Sequence, residues 1–383
     1  MKSKTKDVAV FFQLLRLGLF PEREVQAYDI QEFNDVDWAE VYRLAEEQSV
    51  VGLIAAGIEN VQDAQKFNGS RVPQEWALQF IGTTLQIEQQ NTAMNLYLAN
   101  LVERMRGTGI YTLLVKGQGV AQCYEKPQWR SCGDIDFFLS EDNYEKTKNY
   151  LLPLATSHEQ EAEYDKHLGM NIDGWVVELH GNLRSGLSSR IDRELDDIYR
   201  DTFYSGNVHS WQIGKTQIFM LGIENDVIYV FTHFLKHFFK EGLGVRQICD
   251  WCRLLWTYRE KLDLKKLEPR IGKMGLMSEW KAFGAYAVKY LGMPVEAMPF
   301  YSFDTKWRNK ANQINDFILK VGNMGHNRDM SYFSKKPYLV RKCISMGRRV
   351  GNLLNHARIF PLDSMRFMVK IMSVGLKSVA KGE

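Results

Sequence analysis

The sequence predicts an α+β fold: a small mixed β-sheet core flanked by an N-terminal helical arm and a C-terminal helical region. Three observations predict it. Apolar residues recur at helical spacing over residues 1–108; short β-branched and aliphatic runs bounded by turn residues fill 109–222; the helical period returns after Glu224 and persists to the end. A period near 3.6 marks a helix with one buried face and alternation marks a strand, so the change of period locates the change of architecture. At 383 residues the chain is long for one core. It divides into a helical region (1–108), an α/β core (109–222), a helical domain (223–329) and a basic amphipathic tail (330–383).

In the first region VAVFFQLLRLGLF, VDWAEVYRLAEEQ and VVGLIAAGIENV carry the helical spacing. The longest run extends from Pro73, suited to a first helical position, to Arg106, where Gly107 and Gly109 stop it. From Tyr111, YTLLVKG reads as a buried strand, and GVAQCYEK as one or two helical turns. DIDFFLS alternates cleanly as a strand, and EDNYEKTKNYLL follows as a helix opened by acids, which favour the positive end of the helix dipole. KHLGMNID and WVVELHGNL are strands separated by Asp173-Gly174, a pair suited to a hairpin turn. SWQIGKTQIFML is the last β-like segment. Beyond it NDVIYVFTHFLKHFFKEG, GVRQICDWCRLLWTYREKL and SEWKAFGAYAVKYLG are helices.

An apolar content of 45% with 25% charge is the balance of a soluble globular chain. No uncharged apolar stretch reaches the ~18 residues of a spanning helix. The basic opening MKSKTK precedes a short apolar run, but Asp7 stands before that run, Arg16 interrupts it and no small-residue cleavage site follows; it reads as a helix rather than a signal peptide. Five cysteines in a chain of this size suggest reduced thiols and a cytoplasmic location. Cys249 and Cys252 form a lone CxxC in a helical run, without the second pair that a zinc site needs. Residues 330–383 hold eleven Lys/Arg against two Asp/Glu, which in a chain of net charge +3 leaves the first 329 residues near −6. Mixed with Met, Ile, Leu, Val and Phe, those charges read as an amphipathic helix packed on the domain, with membrane-surface contact or docking of an anionic acceptor as sharper readings. No aromatics are interleaved as stacking platforms, so nucleic acid is not singled out.

The chemistry centres on Asp134-Ile135-Asp136. On a strand the two aspartates share one face while Ile135 and Phe137 take the other. Like carboxylates this close repel, and a cation between them removes that cost; hard divalent ions such as Mg²⁺ (or Mn²⁺) take carboxylates together with substrate phosphates. In WVVELHGNL, Glu178 shares its face with His180 and is an acid amid strand-forming apolar residues, costly unless it faces a metal or a wet cleft. Three acids on adjacent strands hold two ions, which activate an attacking hydroxyl and stabilise a leaving pyrophosphate. Val115-Lys116-Gly117-Gln118-Gly119 lies between a strand and a helix, where glycine lets the backbone approach phosphate. Lys116 and Arg130 add positive charge beside it.

A glycine turn after a strand, a D-x-D strand and a later strand acid together resemble the DNA polymerase β-like nucleotidyltransferase superfamily. More narrowly, KGQGVAQCYEKPQWRSCGDIDFFL, VVELHGNL and THFLKHFFKEGLGVRQICDWCRLL resemble a bacterial family of uncharacterised nucleotidyltransferases, over roughly residues 110–260. The resemblance implies a polymerase-β-like core in which Asp134 and Asp136 are the metal-binding pair, Glu178 is the third acid and Gly117 belongs to the phosphate turn. The superfamily's turn carries two small residues, whereas Gln118 follows Gly117 here. The expected reaction moves a nucleoside monophosphate from an NTP donor to an acceptor, a small molecule in preference to protein or RNA. Lys116, Gly117, Gln118 and Arg130 are the expected phosphate-binding set.

Each residue also has a plainer role. A D-x-D pair can be a solvated strand end, Glu178 a salt-bridge partner, Lys116 and Arg130 surface charges, and His180 a hydrogen-bonded histidine. His167 neighbours Glu178 and His180 if the two strands form a hairpin. His233 and His237, four apart on a helix, share a face but lack the HExxH context of a zinc site. The resemblance implies that this helix, with Arg246 and Asp250 on the next, packs near the active cleft, where these residues are expected to contact substrate. Two rival functions stand: a catalytically degenerate nucleotidyltransferase-fold module that binds or regulates at a membrane surface, and, ranked lower, a D-x-D glycosyltransferase. The latter class normally places a larger βα unit before its D-x-D, where this chain has helices and a single short strand.

Overall fold

In the computed structural model, which describes residues 2–21, 33–63, 72–161, 166–323 and 338–381, four described helices precede the first strand. They are α1 (Lys2–Leu19), α2 (Trp38–Glu47), α3 (Val51–Asp63) and α4 (Gln74–Gly107). Asp37 caps α2 by accepting from the Glu40 N–H, one of the amides that a helix start leaves open. α4 ends where Gly109 turns left-handed (φ 77°) and the Ile110 N–H returns to the Met105 carbonyl.

The core follows as β1 (Leu113–Val115), α5 (Gly117–Ala121), β2 (Asp134–Phe138), α6 (Glu141–Leu151), β3 (Ser157–His158), β4 (His167–Ile172), β5 (Trp175–His180), α7 (Ser189–Phe203), β6 (Val208–Ile213) and β7 (Thr216–Leu221). The strands make one mixed sheet in the order β3-β4-β5-β2-β1-β7-β6. β2 runs parallel to β5 and antiparallel to β1, while β1 runs parallel to β7. Asp173 (φ 53°) and Gly174 (φ 84°) form the two-residue turn of the β4–β5 hairpin, and only residues that tolerate positive φ fit such a turn. SWQIGKTQIFML is two strands rather than one: Ile213 pairs with Thr216 across Gly214-Lys215. Helix α7, which the sequence reading passed over, starts at Ser188, whose hydroxyl accepts from the Ile191 N–H.

Alternation divides the sheet into two faces. Ile135 and Phe137 of β2, Val177 and Leu179 of β5, and Leu168 and Met170 of β4 pack beneath α4 and α6 with Met94, Leu98, Val102 and Tyr144. The opposite face carries Asp134, Asp136, Glu178, His180 and His167. Above it stand α8 (Ile223–Lys240) and α9 (Val245–Thr257), followed by α10 (Leu264–Met274), α11 (Met277–Leu291) and α12 (Thr305–Val321). An aromatic cluster joins these helices: Phe231, Phe234, Trp251, Trp280 and Phe283 are fully buried, and the Trp251 and Trp280 rings meet edge-on at 4.7 Å. Such pairs add about 0.5–1.5 kcal/mol each beyond the area they bury. Cys249 and Cys252 lie in this core, where burial pushes both thiols up. The same apolar cluster takes in α1–α3, so the N-terminal arm and the C-terminal helices share one core, tied further by Arg16 donating to the carbonyls of Lys289 and Tyr290.

The basic tail is two helices, α13 (Tyr338–Ile359) and α14 (Pro361–Lys381); its first eight residues, 330–337, lie outside the described residues. His356, Phe360 and Phe367 pack against Phe238 and Phe239. The outer side of α14 exposes Leu362 (66%), Met365 (63%) and Val369 (69%), which at helical spacing form one stripe. No described helix is long and apolar enough to cross a membrane.

Candidate active site

The chain leaves β1 through an unusual backbone. Lys116 has φ 57° and ψ −144°, a region that costs a side-chain-bearing residue about 1–3 kcal/mol and persists where the surroundings over-determine it. Gly117 follows at φ 41°, and a Cβ there would stand 3.3 Å from Cys132 Sγ and 3.4 Å from the Asp134 carbonyl oxygen. Glycine is therefore required both by conformation and by the approach of the turn to β2. The turn sends the Lys116 ammonium onto Asp136, with Nζ 2.7 Å from Oδ1.

Asp136 is 1% exposed and lies opposite Glu178 in the β2–β5 register. His180 Nε2 donates to Asp136 Oδ1 at 2.8 Å and stands 3.6 Å from Glu178 Oε2. From β4, paired across the hairpin with His180, His167 Nε2 donates to Glu178 Oε2 at 3.0 Å. Asp134, Asp136 and Glu178 each offer an oxygen within 4.8 Å of the others, close enough to hold a metal ion. The electrostatics show what that crowding costs. Asp136's charge, and then burial, push the Asp134 carboxyl up. Burial works against the Lys116 charge, yet Asp136, Tyr229, Asp134 and Glu178 outweigh it and hold the ammonium well above its usual range. Burial likewise opposes the Glu178 charge, but hydrogen bonds from His167 and His180 hold its carboxyl well below the usual range. Burial opposes the His180 charge too, but its hydrogen bonds to Asp136 and then to Glu178 raise it. The donor set fits a divalent cation, because the oxygens converge and the strain on Asp134 is of the kind that a cation relieves.

Across a cleft of about 480 Å³ stand α8 and α9. His237 Nδ1 bonds to Glu241 Oε2 at 2.9 Å, and its Nε2 lies 3.0 Å from Nε2 of His233. One of the two imidazoles donates to the other across that contact. Burial, and then the charge of Lys116, hold His233 well below its usual range and therefore neutral. Arg246 lines the cleft from α9, donates to the Ser131 carbonyl at 2.9 Å and lies close enough to Asp134 to favour its ionised form.

Two residues expected at the phosphates are engaged elsewhere. Arg130 makes a two-pronged contact with Asp250, Nε–Oδ1 2.8 Å and Nη2–Oδ2 2.7 Å, with Nη1 on the Ser131 carbonyl. Tyr124 adds its hydroxyl to Asp250 Oδ1 at 2.8 Å. Gln118 is buried beneath the turn, where its amide donates to Asn91 of α4 at 2.8 Å. Gln118 lies outside the cleft, whereas Arg130 lines it with its charge already paired to Asp250. Conversely Tyr229, Asn182, Arg184, Lys236 and Glu241 line the cleft unannounced. For Tyr229 and Glu241 a signal existed: they sit four residues before His233 and four after His237, on one helix face.

Fold and site together define a class: an α+β protein whose central strands gather carboxylates that could hold a metal ion at the floor of a cleft. Residues 34–292 match the family described as "Uncharacterised nucleotidyltransferase", and the chain belongs to that family. No curated protein and no solved structure matches the chain.

Proposed function

We propose that the chain is a metal-dependent nucleotidyltransferase that moves a nucleoside monophosphate from an NTP to a small-molecule acceptor. The observation that carries this reading is the convergence of Asp134, Asp136 and Glu178 on one sheet face beside Lys116. Family membership points the same way. The three acids hold Mg²⁺ or Mn²⁺, which when bound neutralises phosphate oxygens and eases departure of pyrophosphate. Lys116 exchanges Asp136 for the β- and γ-phosphates, and the Gly117 turn brings its backbone against them. Arg246 adds positive charge at the α9 wall. The acceptor oxygen gives up its proton to solvent and bonds to the α-phosphorus in line, the α–β bridging P–O bond breaks, and pyrophosphate leaves with the electron pair. His233 and His237 face the acceptor. A cleft of this size suits a small molecule. Arg130 acts through Asp250 to hold α9 over the sheet. The exposed stripe of α14, flanked by Arg366 and Lys370, suits contact with an anionic lipid surface.

The test is a thermal-shift series with the four NTPs, with and without Mg²⁺, on the wild type and on Asp134→Asn/Asp136→Asn. Metal-dependent stabilisation by one nucleotide, lost in the variant, is expected. Absence of any shift counts against catalysis and for the alternative, a degenerate module that keeps the fold without turnover. That alternative draws on Lys116 and His180 already satisfying Asp136.

A further inference from the structure

The acids do not exhaust the metal-binding potential of the sheet face. His167 Nε2, His180 Nε2 and a Glu178 oxygen form a second set of ligand atoms within 4.8 Å of one another, and Glu178 belongs to both sets. We propose that His167, Glu178 and His180 form a nitrogen-containing cation site that adjoins the Asp134/Asp136 pair, shares Glu178 with it, and prefers a first-row transition ion such as Mn²⁺ to Mg²⁺. Its existence rests on this geometry; its part in catalysis rests on the nucleotidyl-transfer reading above.

Sheet register explains how the site is built. His167 and His180 are direct cross-strand partners on β4 and β5, and Glu178 stands one pair further along on the same face. Its own partner is Gly169, and the Glu159 side chain stands 3.2–3.6 Å from the place a Cβ would take there. Both histidines aim the same nitrogen at Glu178, at 3.0 and 3.6 Å. Ligand atoms about 2.0–2.2 Å from a shared ion are separated by roughly 3–4 Å, so small side-chain adjustments suffice once each ring carries its proton on Nδ1 and turns the Nε2 lone pair to the ion. Donor chemistry sets the selectivity. Imidazole nitrogen is a poor ligand for Mg²⁺, which keeps oxygen and water, whereas transition ions take nitrogen and carboxylate together. The Asp134/Asp136 side is all oxygen, so the two halves of the face differ in the ions they favour.

The experiment is electron paramagnetic resonance of the full chain, freed of metal by chelation and titrated with Mn²⁺ alone, then with Mn²⁺ and NTP. Modulation of the bound Mn²⁺ signal by ¹⁴N nuclei, diminished in His167→Gln and retained in Asp134→Asn, is expected. His167→Gln is also expected to weaken the nitrogen-coupled site by at least about tenfold. Should that variant unfold, the wild-type spectrum decides alone. Bound Mn²⁺ without nitrogen modulation overturns the histidine site and leaves the carboxylate reading intact. Nitrogen-coupled Mn²⁺ in a protein that no NTP stabilises sustains the site and overturns the nucleotidyl-transfer reading. Failure to bind Mn²⁺ in either condition overturns both.

Discussion

The Arg130–Asp250 pair offers the sharpest separation of structural from catalytic roles. Its side chains are 3% and 8% exposed, and the guanidinium fork is matched to both carboxylate oxygens. Removing one partner of such a pair leaves an uncompensated charge in the interior and costs about 3–5 kcal/mol, a large part of the ~5–15 kcal/mol that stabilises a typical protein. Asp250→Asn and Arg130→Gln are each expected to fall in that range in urea unfolding followed by tryptophan fluorescence. Replacing both, as Arg130→Met with Asp250→Leu, costs less than the sum, with a coupling of about 2–3 kcal/mol, because neither charge is then stranded. NTP affinity of the folded fraction is expected to change little in Arg130→Gln. An Arg130→Gln protein that unfolds at the wild-type midpoint yet binds Mg²⁺–NTP ten times more weakly would refute this reasoning and return Arg130 to the phosphates.

Asp226, buried at the start of α8, has its carboxyl pushed up to about 7 by burial and then by Asp250. The folded state thus keeps a proton that the unfolded state has lost, so the stability contribution falls as pH rises from ~4 to ~7, by up to about 4 kcal/mol. Asp226→Asn is expected to be more stable than wild type at pH 8 and no more stable at pH 4; an equal melting difference at both pH values refutes it. Gly117→Ala forces a Cβ into a left-handed backbone at a cost of about 1–2 kcal/mol and crowds β2, so a lower melting temperature together with loss of the NTP shift is expected. For α14, co-sedimentation with phosphatidylglycerol vesicles is expected at low salt and not with phosphatidylcholine, and Met365→Glu with Val369→Glu is expected to abolish it; unchanged binding by that variant refutes the stripe as the contact.

What the sequence showed and what it hid divide along a physical line. The D-x-D strand, the β4–β5 hairpin and the shared face of Glu178, His180 and His167 were legible because strand alternation and the Asp173-Gly174 turn determine them locally. The β6–β7 hairpin was hidden because SWQIGKTQIFML reads as one β-like segment although Gly214-Lys215 is a turn within it, and β3 is two residues long, too short for any period. Helix α7 had a readable start at Ser188, but its charged surface obscured the buried stripe of Ile191, Leu195 and Ile198. Arg130 and Gln118 are a different case. Their places along the chain were right, yet nothing local reveals that Asp250, 120 residues away, claims the guanidinium, or that Asn91 of α4 claims the amide. Partners supplied by distant elements cannot be read from spacing.

That limit also explains the charge balance of the site. Read from sequence, three acids on one sheet face are a liability awaiting a cation. In the folded chain the liability is met at two of the three acids: Lys116 and His180 share one oxygen of Asp136, and His167 and His180 flank Glu178, while Asp136 and burial still push the Asp134 carboxyl up. The acids can therefore fold together without metal, and the cost of gathering them is carried by the backbone strain that delivers Lys116. The same arrangement ties the proposed ligands to one another. An ammonium held by Asp136 is unavailable to phosphate, and an Asp136 held by an ammonium is a weaker metal ligand. Nucleotide that draws Lys116 away frees the carboxylate for the cation, and a cation on the carboxylate frees Lys116 for nucleotide. Each then strengthens the other's binding by the same factor, since the coupling is a single free energy seen from two sides. Under the proposed function Lys116 would act as the exchangeable counter-ion through which metal and nucleotide bind together.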